Sequence, residues 1–213
     1  ISIKGIISVA EPHTGEILKV TNVTEGNTKI ITWDVFGSVA GTADIRVSVD
    51  GGTNWTTLLS EGVVNIATPK TYVWTVADAL IGDNVKVKVA LDGDEDEVTG
   101  TAGISGTFKI IPYLNLTYPN GLGLSFTIGD VAYIKWAPQP ANFGTVDLRY
   151  NTSGGVGAYT GFIADSLPSS NVPGGEVDIG YKWTVPNTPG IVGIQLRVKV
   201  FQTGKEAEVF SAS

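Results

Sequence analysis

The densest set of chemically able side chains is Asp92-Gly93-Asp94-Glu95-Asp96-Glu97, a run of five carboxylates in six positions. Like charges this close repel, so water or a cation must screen them. Asp92, Asp94 and Asp96 alternate and can converge with Glu97 on Ca2+, a hard ion that takes about six to eight oxygen ligands. The run departs from an EF-hand loop, with no Gly at its sixth position and no Glu at its twelfth. The competing reading is a solvated hairpin tip between two strands. Ca2+ is the one cofactor the sequence suggests. Other catalytic signatures are thin. The chain has no Cys, which excludes disulfides, thiolate nucleophiles and Cys-built zinc sites. Its single His, His13, lies in the turn-like Glu11-Pro12-His13-Thr14-Gly15 and has no visible partner for a triad or metal cluster. A solvated loop imidazole is the expected reading. No pair of carboxylates is marked out for acid–base work, so the sequence points away from an enzyme.

Aromatic side chains offer a second kind of chemistry. Tyr150, Tyr159 and Phe162 could stack on the apolar faces of sugars, although core packing accounts for them equally well. The Pro- and Gly-rich segment from Asp165 to Ile179 is a candidate contact loop. Asn22, Asn54, Asn115 and Asn151 each open an N-x-Ser/Thr sequon, the acceptor pattern for N-glycosylation.

Bulk properties narrow the partners. A formal charge of -7 lacks the basic footprint that nucleic-acid binding needs. Hydrophobic residues at 42% and charged residues at 16% can build a packed core and do not describe a disordered chain. No apolar run is long enough to span a bilayer. The chain has no Met, as expected of a processed chain or an excised piece, with any export signal or anchor outside it.

The elements that must position these residues appear as a repeat. Gly26-Asn27-Thr28-Lys29-Ile30-Ile31-Thr32-Trp33 matches Gly129-Asp130-Val131-Ala132-Tyr133-Ile134-Lys135-Trp136, and Asp44-Ile45-Arg46-Val47 matches Asp147-Leu148-Arg149-Tyr150, both at an offset of 103 (33 to 136, 44 to 147). Tyr72-Val73-Trp74-Thr75-Val76 then matches Tyr181-Lys182-Trp183-Thr184-Val185, and Val85-Lys86-Val87-Lys88-Val89 matches Leu196-Arg197-Val198-Lys199-Val200. A repeat of about one hundred residues is a domain. The boundary falls at Ile111 and Pro112, giving domains 1–111 and 112–213, with no Gly/Ser-rich linker between them. Each block alternates with period two, as a half-buried strand requires. Trp33, Trp74, Trp136 and Trp183 fall in phase with the apolar side and are expected to anchor the two cores.

The order of motifs also carries a resemblance. A Pro-containing opening (Glu11-Pro12, Tyr118-Pro119) precedes Gly-x5-Ile-x-Trp, then Ser48-Val49-Asp50-Gly51-Gly52-Thr53-Asn54-Trp55, Tyr-x-Trp-x-Val, a Val-x-Val-x-Val strand and Ser105-Gly106-Thr107-Phe108-Lys109-Ile110. This resembles the immunoglobulin-like domains of the Kre9/Knh1-like, Ser-Thr-rich anchored family and related bacterial and archaeal surface repeats. Domain 2 departs from it, with Asn151-Thr152-Ser153-Gly154-Gly155 in place of the Asp-Gly-Gly turn. The resemblance implies an all-β chain of two tandem immunoglobulin-like, Greek-key β-sandwiches. It implies a non-catalytic structural or adhesive module of an extracellular or cell-surface protein, such as a surface layer, fibre, stalk or adhesin. Its expected partners are further copies or other surface proteins. The alternative is a polysaccharide-binding accessory of a secreted hydrolase. Ser48 to Trp55 also fits the S-x-D-x-G-x-x-W Asp-box turn, in which the carboxylate ties down backbone N–H groups. The runs Thr99 to Gly103 and Ile1 to Ile7 are candidate edges for pairing with a neighbouring subunit.

Overall fold

Along Thr28–Phe36 the side chains divide between two environments: Ile31 and Trp33 are buried, while Ile30 and Asp34 face outward. That division, repeated strand after strand, sets the layers of the molecule. The computed structural model describes residues 5–20, 28–37, 39, 41–59, 70–91, 102–121, 124–140, 142–154, 156–170, 180–187 and 196–213. The chain separates into two units, Ile1–Ile111 and Pro112–Ser213.

In the first unit, strands β1 (Ile6–Glu11), β3 (Thr28–Phe36) and β6 (Thr71–Thr75) form one sheet in the order β1-β3-β6. The facing sheet runs β2-β9-β7-β4-β5, from β2 (Ile17–Lys19), β9 (Phe108–Ile111), β7 (Gly82–Leu91), β4 (Ala43–Ser48) and β5 (Thr56–Leu59). β8 (Gly103–Ile104) also pairs with β7. The chain crosses between sheets after β1, β2, β3, β5 and β6, giving a Greek-key sandwich. Parallel pairing of β2 with β9 contrasts with the antiparallel ladders around it. Ile31, Trp33 and Trp74 from one sheet meet Ile45, Val47, Val87, Val89 and Phe108 from the other. Trp74 and Phe108 touch edge to face across the gap, with ring centroids 6.5 Å apart.

The second unit repeats the plan. β10 (Tyr113–Tyr118), β11 (Val131–Gln139) and β14 (Tyr181–Thr184) form the sheet β10-β11-β14. β13 (Gly161–Pro168), β12 (Thr145–Asn151), β15 (Arg197–Gln202) and β16 (Phe210–Ala212) form the sheet β13-β12-β15-β16. Leu116, Ile134, Trp136 and Trp183 are buried on one sheet, and Val146, Leu148, Val198 and Val200 on the other. All four anchoring tryptophans are thus core residues, each 6% exposed or less. The opening strands share two details: a cis X-Pro bond at Pro12 and at Pro119, and a register shift just before it, at Val9/Glu11 and at Leu116/Tyr118. The fold is all-β, as the alternation indicates. Among the described residues the one helical element is a single 3-10 turn, Asp78–Leu80, and no helix is long and apolar enough to cross a membrane.

The two edge segments singled out from sequence are partly engaged within the chain. Ile6 and Ile7 pair with Phe36 and Val35, and Ile7 is buried. Gly103 pairs with Val89 and lies so close to β1 that a Cβ there would sit 2.6 Å from the Ile7 carbonyl oxygen. Residues 1–4 and 99–101 lie outside the described residues.

Candidate functional site

The sequence-derived site residues fall in three places. Asp92, Asp94, Asp96 and Glu97 lie outside the described residues, as do Asn22 and positions 171–179 of the Pro/Gly-rich segment. Tyr150 points inward, with its ring 5.8 Å from that of Trp183 and lying over Gly161, where a Cβ would collide with it. Tyr159 and Phe162 instead belong to the outer face of the β13-β12-β15-β16 sheet.

That outer face is fixed by register. Phe162, Arg149, Lys199 and Ala212 stand directly opposite one another across the four strands, and one step along the sheet Asp147, Phe201 and Phe210 do the same. Directly opposed residues share a face, so rings and cations interleave. The Arg149 guanidinium carbon lies 5.1 Å from the Phe162 ring centroid and 5.8 Å from that of Phe201. The Lys199 ammonium lies 4.4 Å from Phe210, 5.5 Å from Phe201 and 5.7 Å from Tyr159. A cation over a ring face is attracted by the ring quadrupole, worth roughly 0.5–2 kcal/mol according to exposure.

Each cation is also tied to a carboxylate. Arg149 donates to the Leu148 and Ala164 carbonyls at 2.9 and 3.1 Å, and its second terminal nitrogen lies 2.6 Å from Asp165. Lys199 lies 3.5 Å from Glu206. Asp147 braces the strands beneath, accepting from the Ser166 backbone N–H at 2.8 Å and from the Thr203 hydroxyl at 2.9 Å. Ser166 takes a positive φ of 53° within the register shift opposite Val146 and Leu148, and the Asp147 acceptor helps to hold it there. The result is a pre-organised surface. Phe162 is 62% exposed and Phe210 46%, while the cations are tucked between the rings.

Phe210, 46% exposed, and Phe201, only 6% exposed although it is on the same face, did not stand out in the sequence, although a signal was present. Val198 and Val200 mark the buried side of β15, so Phe201 falls in phase with Arg197 and Lys199, where a polar residue is the norm.

The β4–β5 turn is a different kind of cluster. Asp50 Oδ1 accepts from the Ser48 hydroxyl (2.7 Å) and from the backbone N–H groups of Thr53 (3.0 Å) and Asn54 (2.9 Å), and Oδ2 accepts from the Asn54 side chain (2.6 Å). Gly51 and Gly52 both take positive φ, as the tight turn needs. The Asn54 N–H, then the Ser48 hydroxyl and the Asn54 side chain, hold the Asp50 carboxyl down at about 2. The carboxylate ties the turn together, as the Asp-box reading expects.

His13 has partners that the sequence did not disclose. Its Nδ1 lies 3.3 Å from Glu11 and 3.4 Å from Glu16, and the three could each offer a ligand atom within 4.8 Å of the others. Lys29 from β3 reaches both carboxylates, at 2.7 and 2.5 Å. Its hydrogen bond, followed by that of His13, lowers the Glu11 pKa. Burial depresses the Lys29 pKa, but the hydrogen bonds that its ammonium donates to Glu11 and Glu16 outweigh it and leave the pKa raised. A built-in cation already occupies this cluster. Glu11 and Asp50 are both shifted toward the charged form, the direction opposite to that of a general acid.

No family model matches the sequence, and no curated protein matches it. Among solved structures the chain is similar to the N-terminal four Ig domains of Dscam1 isoform 6.9, at 9% identity and a TM-score of 0.36, over 100% of this chain and 46% of that one. It is similar to a second structure, described as the structural basis for Dscam isoform specificity, at 8% identity and 0.33, over 100% and 46%. A third is the three N-terminal domains of the bacteriophage RB49 Highly Immunogenic Outer Capsid protein, at 12% and 0.30, over 99% and 67%. The chain spans about half the length of the Dscam chains. Strand order and burial, rather than these likenesses, establish two immunoglobulin-like sandwiches.

Proposed function

We propose that the chain is a non-catalytic adhesive module of an extracellular or cell-surface protein, and that domain 2 makes its contacts through the outer face of the β13-β12-β15-β16 sheet. The observation that carries this reading is the row Phe162–Arg149–Lys199, with Phe201 and Phe210 beside it, locked by backbone and carboxylate bonds. Aromatic and Arg side chains held in one geometry bind with little ordering cost. A sandwich of sheets supplies the rigid support, and the loops and edges stay free to vary.

Two measurements test it: sedimentation velocity over a range of concentrations, and retention of the purified chain on insoluble polysaccharides and on a surface coated with the same chain. Retention or self-association that is lost in the double variant Phe162→Ala/Phe210→Ala supports the reading. A chain that stays monomeric and is retained on neither surface overturns it, as does retention unchanged by the double variant.

A further inference from the structure

The charge and exposure of the same face narrow its ligand, an inference that rests on the contact role assigned above. We infer that the face takes a neutral, hydroxyl-rich glycan. Each cation on the row is matched by its own carboxylate, Arg149 by Asp165 and Lys199 by Glu206. A polyanion would meet those carboxylates and would have to displace them. A neutral ligand need not, and the outer oxygens remain available, since the Asp165 and Glu206 side chains are 49% and 54% exposed. A carboxylate is an acceptor for hydroxyl protons. The exposed faces of Phe162 and Phe210 supply what the apolar face of a pyranose stacks on.

Shape agrees. β13 and β16 are the outer strands of the four, and Phe210 sits two residues along from the row of Phe162, so the two stand about 14 Å apart across the strands and about 7 Å along them, roughly 16 Å in all. That length fits an extended chain of several sugar rings better than a single one. A protein partner is less well served. Among the described residues of the face, Phe162 and Phe210 are the well-exposed rings, whereas a stable protein interface covers about 800 Å² on each side.

The test is NMR titration of the 15N-labelled chain with β-1,4-linked glucose and N-acetylglucosamine oligomers, a soluble β-1,3-glucan and an α-mannan. Alginate serves as the anionic probe, and sedimentation runs in parallel. The expected result is saturable shifts at Phe162, Arg149 and Lys199 with at least one neutral glycan. Binding should be unchanged between low and high NaCl, and weaker by about tenfold or more in Phe162→Ala. Binding of alginate alone, or binding that fades with salt, overturns the inference. Self-association that Phe162→Ala abolishes, without any glycan shift, overturns the glycan while leaving the contact face standing. Neither glycan binding nor self-association sinks both.

Discussion

The cognate faces of the two domains differ in their flanks and not in their centre. Arg46 opposes Lys88 across β4 and β7 as Arg149 opposes Lys199 across β12 and β15. In domain 1 the pair is bordered by Thr57 and Ile104. Trp55, from the Asp50 turn, closes over Lys88, with the ammonium 4.5 Å from its ring centroid, and Lys88 is 6% exposed. In domain 2 the border is Phe162 on one side, with Phe201 and Phe210 one step along. The period-two register fixes where the cations stand. The neighbouring strands decide what flanks them: a tryptophan from the adjoining turn in domain 1, and the exposed Phe162 and Phe210 with the buried Phe201 in domain 2.

The turns beside these faces diverge in the same way. Asp50 organises its turn from the surface through charge, whereas Asn151, 4% exposed, does so from beneath the loop that follows it. Asn151 accepts from the Ser153 N–H at 2.6 Å and donates to the Val156 and Ala158 carbonyls at 3.1 and 2.8 Å. A carboxylate has no protons for those two carbonyls, so an amide suits the longer loop.

Four substitutions probe this contrast, with hydrogen exchange reporting each domain separately. Trp136→Ala should have the largest effect, about 3–5 kcal/mol on domain 2. It also leaves the buried Ser169 carbonyl without its indole donor at 2.9 Å. Equal loosening of domain 1 would show that the two units do not unfold separately. Asn151→Ala comes next, at about 2 kcal/mol, because two carbonyls and an N–H lose a buried partner. Asp50→Ala should lower the melting temperature of domain 1 by less, since water replaces the lost acceptor. Its signature is pH dependence. The Asp50 pKa is depressed from 3.8 to about 2, so its contribution is present above pH 3.8 and is lost as pH falls toward 2. The variant should lack that acid-side slope in a melting series. Phe162→Ala is the smallest, less than about 1 kcal/mol. A larger loss would mean that the aromatic row is there to hold domain 2 together.

Much of the architecture was legible because it follows from period and sterics. Alternation gave the strands, the repeated Trp positions gave the cores, and Ser48 to Trp55 gave a turn whose hydrogen bonds are local in sequence. Contacts made between distant segments were not legible. His13 looked solitary because Glu16 is brought to it by a turn and Lys29 by another strand. Tyr150 and Phe162 looked alike in sequence, yet their strands present them to opposite sides of one sheet. The bulge at Ile163 and the packing of Gly161 under the Tyr150 ring, which decide this, leave no simple pattern in composition.

The burial of Asn151 beneath its own loop has a consequence for how the protein can be made. Its side-chain nitrogen, the atom to which an oligosaccharide is joined, is the one that holds Val156 and Ala158. A host that decorates nascent chains would add sugar there only before domain 2 closes, and a chain so marked would lack the bonds that shape its loop. Material from such a host should therefore be bare at Asn151 in its folded fraction and modified there in its aggregated fraction, a division that peptide mapping reads directly.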